Sequence, residues 1–175
     1  KAAHGWANAP ADAKEFTIIT SAGFVHRPCL ILKNQDGIYD RVAIYKSKKE
    51  LEPIVTLQEG VYTPYVKDEI LHEEEKVQGY RSISLLELRE DGSYLRYWMS
   101  SAYNVEGDLV WHPKSLYREI AENVGMPPQL STITGKKPEN ITEIILPALD
   151  YYCDWQANCL RYLMENEKYD IIFSH

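Results

Sequence analysis

The sequence contains no apolar run that approaches the length of a membrane-spanning helix, so we expect no membrane among its partners. It also lacks an excess of basic residues, because 26 Asp and Glu outnumber 19 Lys and Arg and give a net charge of −7. A chain that binds a nucleic-acid backbone usually carries a basic surface, and a nucleic-acid scaffold is therefore excluded. A small anionic substrate held by a local group of Lys and Arg is compatible with this charge.

Cysteine is scarce. The three cysteines are Cys29, Cys153 and Cys159, and no C-x-x-C pair occurs. On a helix, Cys153 and Cys159 point to different faces and cannot form a disulfide, so small buried hydrophobic side chains are the preferred interpretation. This pattern fits a reducing compartment such as the cytoplasm. The sequence also has no signal peptide, and it begins at Lys1, so both ends are expected to be cut from a longer protein.

The motifs of a complete active site are also missing. The five histidines form no H-E-x-x-H or Cys/His zinc spacing, Ser21 does not lie in a G-x-S-x-G turn, and no Gly-rich phosphate loop is present. His72 lies in an acidic stretch, where a divalent ion and a solvated acidic loop are both compatible and the loop is preferred. We therefore predict no catalytic residue, no metal ligand and no cofactor within this chain.

What the sequence does contain is a run of turn signals between short apolar segments, followed by helical patterns. The turns are S-A-G (21–23), N-Q-D-G (34–37) and E-D-G (90–92). Strands are predicted at Phe16–Thr20, Phe24–Lys33, Ile38–Tyr45, Ile54–Leu57, Gly60–Val66, Arg81–Arg89 and Ser93–Ser100. Pro28 requires an edge or a bulge in its strand, and the mixed faces of Arg81–Arg89 favour a central strand. The acidic stretch 67–76 is predicted as a loop or a single helical turn.

The end of the chain is predicted to be helical, except for its last residues. One helix follows Pro113 and ends at Gly125, a natural C-cap, and a longer one runs from about Asn140 or Thr142 to about Glu165. Pro147 either kinks this second helix or marks its first turn. The closing segment Y-D-I-I-F-S-H (169–175) has the apolar run of a strand covered on both faces. The predicted class is α+β: an antiparallel, hairpin-rich sheet with two C-terminal helices and a final buried strand.

Two short stretches carry candidate substrate-binding residues. In F-V-H-R-P, His26 and Arg27 point to opposite faces of a strand, and one of them could reach an anionic ligand. In Y-K-S-K-K, Lys46 and Lys48 lie on one side of an extended chain end, where a phosphate contact is possible. A purely structural role is the preferred alternative at both places. The tryptophans and tyrosines could stack on a ring, although a core role is the default for most of them.

The chain resembles the type I phosphodiesterase/nucleotide pyrophosphatase family of the alkaline phosphatase superfamily. A long helix followed by Y-D-I-I-F-S-H is similar to the approach to a metal-ligand segment in that family. The stretches G-W-A-N-A-P-A-D-A-K-E-F, G-F-V-H-R-P-C-L-I-L-K-N and Y-D-R-V-A-I-Y-K-S-K-K-E-L-E-P-I resemble the large insertion that some members carry. The family's nucleophilic Thr or Ser and its metal-binding Asp and His have no matching positions here, so no catalytic residue is transferred.

The resemblance implies a parent that hydrolyses phosphoesters with a pair of divalent metals, usually zinc. It implies that 1–135 is an inserted cap domain and 136–175 a helix and strand that rejoin the catalytic core of a larger α/β hydrolase. The expected partners are a small phosphoester substrate and that core, and the chain alone is expected to be inactive. The alternative function is a stand-alone module, without catalysis, that binds a small ligand or a protein.

Overall fold

The structure, a computed structural model, describes residues 1–20, 25–72, 75–104, 111–127, 130, 133 and 138–173. The chain divides into two compact units, Lys1–Tyr103 (the β unit) and Asn104–His175 (the helical unit). All the described strands lie in the β unit and both described helices in the helical unit. The predicted α+β class with two C-terminal helices is therefore confirmed. The predicted boundary at residues 135–136 concerns an insertion in a longer protein and stays a prediction.

The first sheet of the β unit is antiparallel, with the strand order β1-β2-β3-β4. Its strands are β1 (Lys14–Thr20), β2 (Val25–Lys33), β3 (Tyr39–Ile44) and β4 (Val55–Gln58). The predicted N-Q-D-G turn joins β2 to β3. The Asn34 side-chain oxygen accepts hydrogen bonds from the backbone N–H groups of Asp36 and Ile38, and Gly37 has a φ of +82°, a value that glycine adopts without strain. The predicted turn at residues 21–23 lies outside the described residues.

Pro28, which has no backbone N–H, lies in the part of β2 that does not pair with β3. The strand pairs with β1 from Val25 to Ile31, but its register with β3 begins only at Cys29. At that side the Pro28 carbonyl still accepts a hydrogen bond from the Tyr45 backbone N–H. The first part of β2 is therefore an edge on the β3 side, as the missing N–H of Pro28 requires.

The second sheet is also antiparallel, with β6 between β5 and β7, so the predicted central strand is confirmed. Its strands are β5 (Tyr62–His72), β6 (Glu75–Leu88) and β7 (Leu95–Met99). The acidic stretch 67–76, predicted as a loop or helical turn, is strand wherever it is described. Buried and exposed side chains do alternate here, because Asp68 and Ile70 are buried, whereas Lys67 is exposed and Glu69 half-buried. The sequence does not show this alternation as an apolar pattern, since one of the buried residues is an aspartate.

The two sheets pack face to face around one apolar core. The first sheet contributes Ile18, Cys29, Ile31, Val42, Ile44 and Leu57, and the second contributes Val66, Ile83, Leu85 and Leu88. The sheets also meet through the backbone, because the Gly60 N–H donates to the Leu85 carbonyl at 3.0 Å. On the outer face of the first sheet, the N-terminal segment covers Leu30 and Ala43, and the Trp6 ring meets Tyr45 edge-on at 5.1 Å. The middle of β2, Cys29–Ile31, is therefore buried on both faces.

The helical unit is built from α1 (Ser115–Asn123) and α2 (Pro138–Asn166). Gly125, with a φ of +111°, follows the C-cap of α1, and its N–H donates to the Ile120 carbonyl, the position where glycine is favoured. Pro147 lies inside α2, so its alternative placement in the first turn was wrong. Tyr151 and Trp155 of α2 donate hydrogen bonds to the carbonyls of Met126 and Gly125, which tie α2 to the end of α1.

The predicted final buried strand was wrong for this chain. Residues 171–173 belong to no strand, and Ile171 and Phe173 are 70% and 91% exposed. An apolar run becomes a strand only where a neighbouring strand supplies hydrogen bonds and other elements cover its faces. Neither condition is met at these residues. The place of this segment in a larger α/β hydrolase stays a proposal.

Candidate functional site

Three of the four predicted substrate-binding residues, Arg27, Lys46 and Lys48, fall into two separate charge clusters of the β unit. His26 is exposed and Arg27 is buried, so the predicted opposite orientation along β2 is confirmed. Lys46 donates to Glu69 at 2.8 Å, next to Arg27, whereas Lys48 donates to Glu15 at 2.6 Å. The expectation that Lys46 and Lys48 share one side of an extended chain was wrong. Residues 46–49 bend and turn, and this sends the two ammonium groups to different carboxylates.

Arg27 and Asp68 form a buried ion pair across the two sheets. Arg27 Nε lies 2.9 Å from both Asp68 carboxylate oxygens, and one terminal nitrogen lies 2.6 Å from Oδ1. The other terminal nitrogen donates to the His26 carbonyl at 3.1 Å. Both side chains are 8% exposed. All three side-chain nitrogens of Arg27 thus donate hydrogen bonds, and the ion pair links β2 to β5. Whether Arg27 also influences substrate preference stays a prediction.

Arg81, a second buried arginine, lies beside this pair. It projects from β6, is 5% exposed, and belongs to the same inward face as Ile83. One of its terminal nitrogens lies 3.4 Å from the Met99 sulfur, a weak acceptor, and its Nε has no hydrogen-bond partner. Burial lowers the pKa of the Arg81 guanidinium, Asp68 opposes this effect, and the positive charge of Arg27 adds to it.

Lys46 and Glu69 form the outer edge of the same cluster. The Glu69 carboxylate accepts from Lys46 and lies 3.9 Å from an Arg27 terminal nitrogen. The hydrogen bond from Lys46 is the main cause that lowers the pKa of Glu69. Because the Glu69 side chain is 35% exposed, we expect water to screen this pair, as it does most surface ion pairs.

Lys48 belongs to the second cluster, which is centred on Glu15. The Glu15 carboxylate accepts hydrogen bonds from Lys48 and from the Trp6 indole N–H, both at 2.6 Å, and it lies 3.0 Å from the Lys1 ammonium. The Lys48 hydrogen bond, followed by those from Trp6, Lys1 and the His4 N–H, holds the pKa of Glu15 far below its ordinary value, although burial acts in the opposite direction. This carboxylate therefore fixes the N-terminal segment to the first sheet.

Replacement of Glu15 by Gln is expected to lower the free energy of unfolding at pH 7 by about 1–3 kcal/mol, because charge-assisted hydrogen bonds are lost. A carboxyl with a lowered pKa in the folded state contributes stability above its ordinary pKa of 4.5 and loses it as the pH falls through the folded-state pKa. The difference in the free energy of unfolding between the unmodified chain and Glu15→Gln should therefore become smaller below pH 4.5. Urea unfolding at several pH values measures it, with the exposed Glu50→Gln as control. A difference that does not narrow would contradict this role for Glu15.

A larger concave site lies in the helical unit. A cleft of about 540 Å³ is lined by Trp111, Lys114, Ser115, Tyr117 and Arg118. The Trp111 and Tyr117 rings meet edge-on with centroids 5.5 Å apart, and Lys114 and Arg118 are exposed beside them. The volume lies in the range of small-molecule sites. Two aromatic rings next to two cations fit a ligand that has a flat ring and a negative charge.

The sequence pattern singled out neither the cleft nor two of the buried charges. Asp68 falls in the stretch that the sequence predicts as an acidic loop, and Arg81 is the first residue of a predicted strand. Lys114 and Arg118 lie in the predicted helix after Pro113, and its pattern gives them no separate role. A signal for the cleft is present in W-H-P-K-S-L-Y-R (111–118), where two rings and two cations surround the start of a helix.

The described residues bring no three His, Cys, Asp or Glu side chains together where a metal ion could bind. Neither described helix is long and apolar enough to span a membrane. Cys29, Cys153 and Cys159 are free thiols; Cys29 is buried as expected, whereas Cys153 is exposed, which corrects the expectation that all three are buried. Burial raises the pKa of the Cys29 thiol to about 12, so it stays protonated and unreactive at neutral pH.

Comparison with protein-family models, with curated proteins and with solved structures found no match to this chain.

Proposed function

We propose that this chain is the substrate-cap, or insertion, region of a metal-dependent phosphodiesterase or nucleotide pyrophosphatase, and that it binds and orients substrate without performing the chemistry. The observation that carries the proposal is the cleft of the helical unit, which combines the Trp111 and Tyr117 rings with Lys114 and Arg118. A phosphodiester with an aromatic or nucleoside leaving group offers a ring for stacking and a charge for the cations. The sequence resemblance supports the same class of substrate.

The metal pair belongs to the catalytic core in this proposal. The described residues hold no group of ligands that fits a divalent ion, so no step is assigned to a metal in this chain. When zinc or another divalent pair is bound in the core, it supplies the activated nucleophile and stabilises the charged oxygens. The residues of this chain act on the substrate before that step. They attract the phosphoester and hold its leaving group.

Exposed apolar side chains support the catalytic core as a partner. Leu146 and Met164 on α2 are 67% and 73% exposed, and Ile171 and Phe173, which follow the helix, are 70% and 91% exposed. Large exposed apolar side chains are common where another protein surface docks. The partner in this proposal is the remainder of the hydrolase, which would cover residues 171–173 and supply them with strand partners.

The first test uses the chain alone. With added zinc, it is expected to show no hydrolysis of bis-p-nitrophenyl phosphate above the uncatalysed rate, and measurable turnover would refute the assignment of catalysis to the core. The flanking coding sequence separates this function from its alternative, a stand-alone binding module. An upstream Thr or Ser nucleophile and downstream Asp and His ligands support the phosphodiesterase. A start codon before Lys1 and a stop codon after His175 support the binding module.

In the parent enzyme, Arg118→Ala is expected to raise KM for an aromatic phosphodiester about tenfold with little change in kcat. Loss of one charge-assisted contact made equally in the ground state and the transition state has this kinetic signature. Steady-state kinetics measures it. Arg89→Ala, which removes an exposed arginine stacked on Tyr94 in the β unit, is the matched control. Equal KM values for the two variants would remove the cleft from the substrate site.

The role of His26, Arg27, Lys46 and Lys48 in substrate preference is a separate proposal. Arg27→Ala would break a buried ion pair, so its kinetics would mix folding with binding. Lys46→Ala changes only a 54% exposed side chain and is the cleaner variant. Unchanged kcat/KM ratios across several phosphodiesters after Lys46→Ala would remove the Arg27–Glu69–Lys46 cluster from substrate selection, and the same result after Lys48→Ala would remove the Glu15 cluster.

A further inference from the structure

Two arginines and one aspartate share a small cavity between the two sheets of the β unit. Arg27, Asp68 and Arg81 line it, and Thr20 contributes a hydroxyl group. The remaining lining side chains are apolar; they are Ile18, Ile44, Ile54, Val66, Ile83 and Met99. Glu69 reaches only the outer side of Arg27, at 3.9 Å, and is itself paired with Lys46. Two positive charges and one negative charge leave the cavity wall with a net charge of +1.

The uncompensated charge resides on Arg81. Asp68 directs its oxygens to Arg27 at 2.6 and 2.9 Å, and no carboxylate of the described residues forms an ion pair with Arg81. A buried charge without a partner is costly. Arginine cannot avoid this cost by losing its proton, because a guanidinium group stays protonated in proteins. A counter-charge from outside the chain removes the cost.

We propose that this cavity binds one small monovalent anion of halide size, chloride in ordinary buffers, which accepts a hydrogen bond from Arg81 Nε. The free volume of the cavity is about 10 Å³, which is enough to enclose about one water-sized ligand. Phosphate and sulfate are too large for this space. The thioether of Met99 lines the cavity and is flexible enough to admit an ion slightly larger than water.

A bound anion would complete the charge pattern between the sheets. Arg27 comes from the first sheet, whereas Asp68 and Arg81 come from β5 and β6 of the second. Val66 is paired with Arg81, and Asp68 with Gly79, so Asp68 and Arg81 are diagonal neighbours on one face. The anion neutralises the Arg81 charge next to the Arg27–Asp68 pair. It would therefore stabilise the contact between the sheets, independently of the cleft in the helical unit.

The first experiment compares thermal unfolding in sodium chloride and in sodium gluconate at equal ionic strength. Since gluconate is too large to enter, we expect about 200 mM chloride to raise Tm by about 2–4 °C, as for a ligand that binds only the folded state. Arg81→Met should abolish the difference between the salts. In gluconate this variant should melt no lower than the unmodified chain, because a buried unpaired charge is gone. The exposed Arg89→Met should retain the full chloride effect.

The second experiment does not depend on any variant. A crystal of the unmodified chain grown or soaked in sodium bromide is examined by anomalous diffraction. A bromide peak within hydrogen-bond distance of Arg81 Nε supports the proposal. A cavity that holds only water, without a bromide peak, overturns it whatever the salt dependence of Tm.

Discussion

Asp68→Ala is expected to lower the free energy of unfolding by about 3–5 kcal/mol, because it removes one partner of a buried ion pair. The Asp68 carboxylate accepts from two nitrogens of Arg27 and from the Glu69 N–H at 2.8 Å. Without it, Arg27 and Arg81 face the same apolar cavity with no carboxylate between them. Urea unfolding followed by the β-sheet circular dichroism signal measures the loss.

Glu69→Ala is the matched control, because it removes the adjacent carboxylate from the surface end of the same cluster. The Glu69 side chain is 35% exposed and that of Asp68 is 8% exposed, so we expect Glu69→Ala to cost at most about 1 kcal/mol. Similar losses for the two variants would show that Asp68 is not held in a low-dielectric site.

A double variant separates the value of the ion pair from the penalty of breaking it. Arg27→Met combined with Asp68→Leu removes both charges and fills the same space with apolar atoms. Replacement of a complete buried pair in this way is often neutral or stabilising. We therefore expect the double variant to be more stable than Asp68→Ala. A double variant that is as unstable as Asp68→Ala would mean that the hydrogen-bond geometry, and not the lone charge, determines the loss.

Local signals in the sequence are sufficient for the two described turns, N-Q-D-G and E-D-G, for the central strand and for the helices. The E-D-G turn forms as expected, with the Gly92 N–H donating to the Arg89 carbonyl and a φ of +62° at Gly92. Such signals depend on a few consecutive residues, so they can be read without tertiary structure. The acidic end of β5 could not be read in this way. Asp68 occupies an inward position that alternation normally gives to an apolar residue, and its partner is 41 residues away.

The candidate sites were harder to predict than the fold. His26 and Arg27 were correctly assigned to opposite faces of one strand, because alternation is a local property. The partners of Arg27, Lys46 and Lys48 depend on how two sheets and a covering segment pack, which no local spacing reveals. The final segment, residues 171–173, also depends on packing that the sequence does not reveal, and here the sequence predicted burial that the structure lacks. Ile171 and Phe173 have the apolar pattern of a buried strand, yet burial requires a surface that covers them.

Leu85→Ala is expected to destabilise the β unit by about 3–5 kcal/mol, through lost burial and through the cavity left behind. Leu85 is 0% exposed in the core between the sheets. It also lies where the sheets join, since its carbonyl accepts from Gly60. The surrounding backbone is held by pairs on both sides of β6 and can collapse only partly. Guanidinium unfolding curves give the change in midpoint and slope.

Leu51→Ala is the control for the same chemical change at the surface, where the side chain is 64% exposed. It should alter the free energy of unfolding by less than about 0.5 kcal/mol. The comparison also tests the packing of the two sheets themselves. If β5–β7 did not pack against β1–β4, Leu85 would be accessible to solvent on that face and its truncation would cost little more than that of Leu51. If the core between the sheets is closed, Leu85→Ala should lower the free energy of unfolding several-fold more than Leu51→Ala. The same closed core shields the charges of Arg27, Asp68 and Arg81 from bulk water.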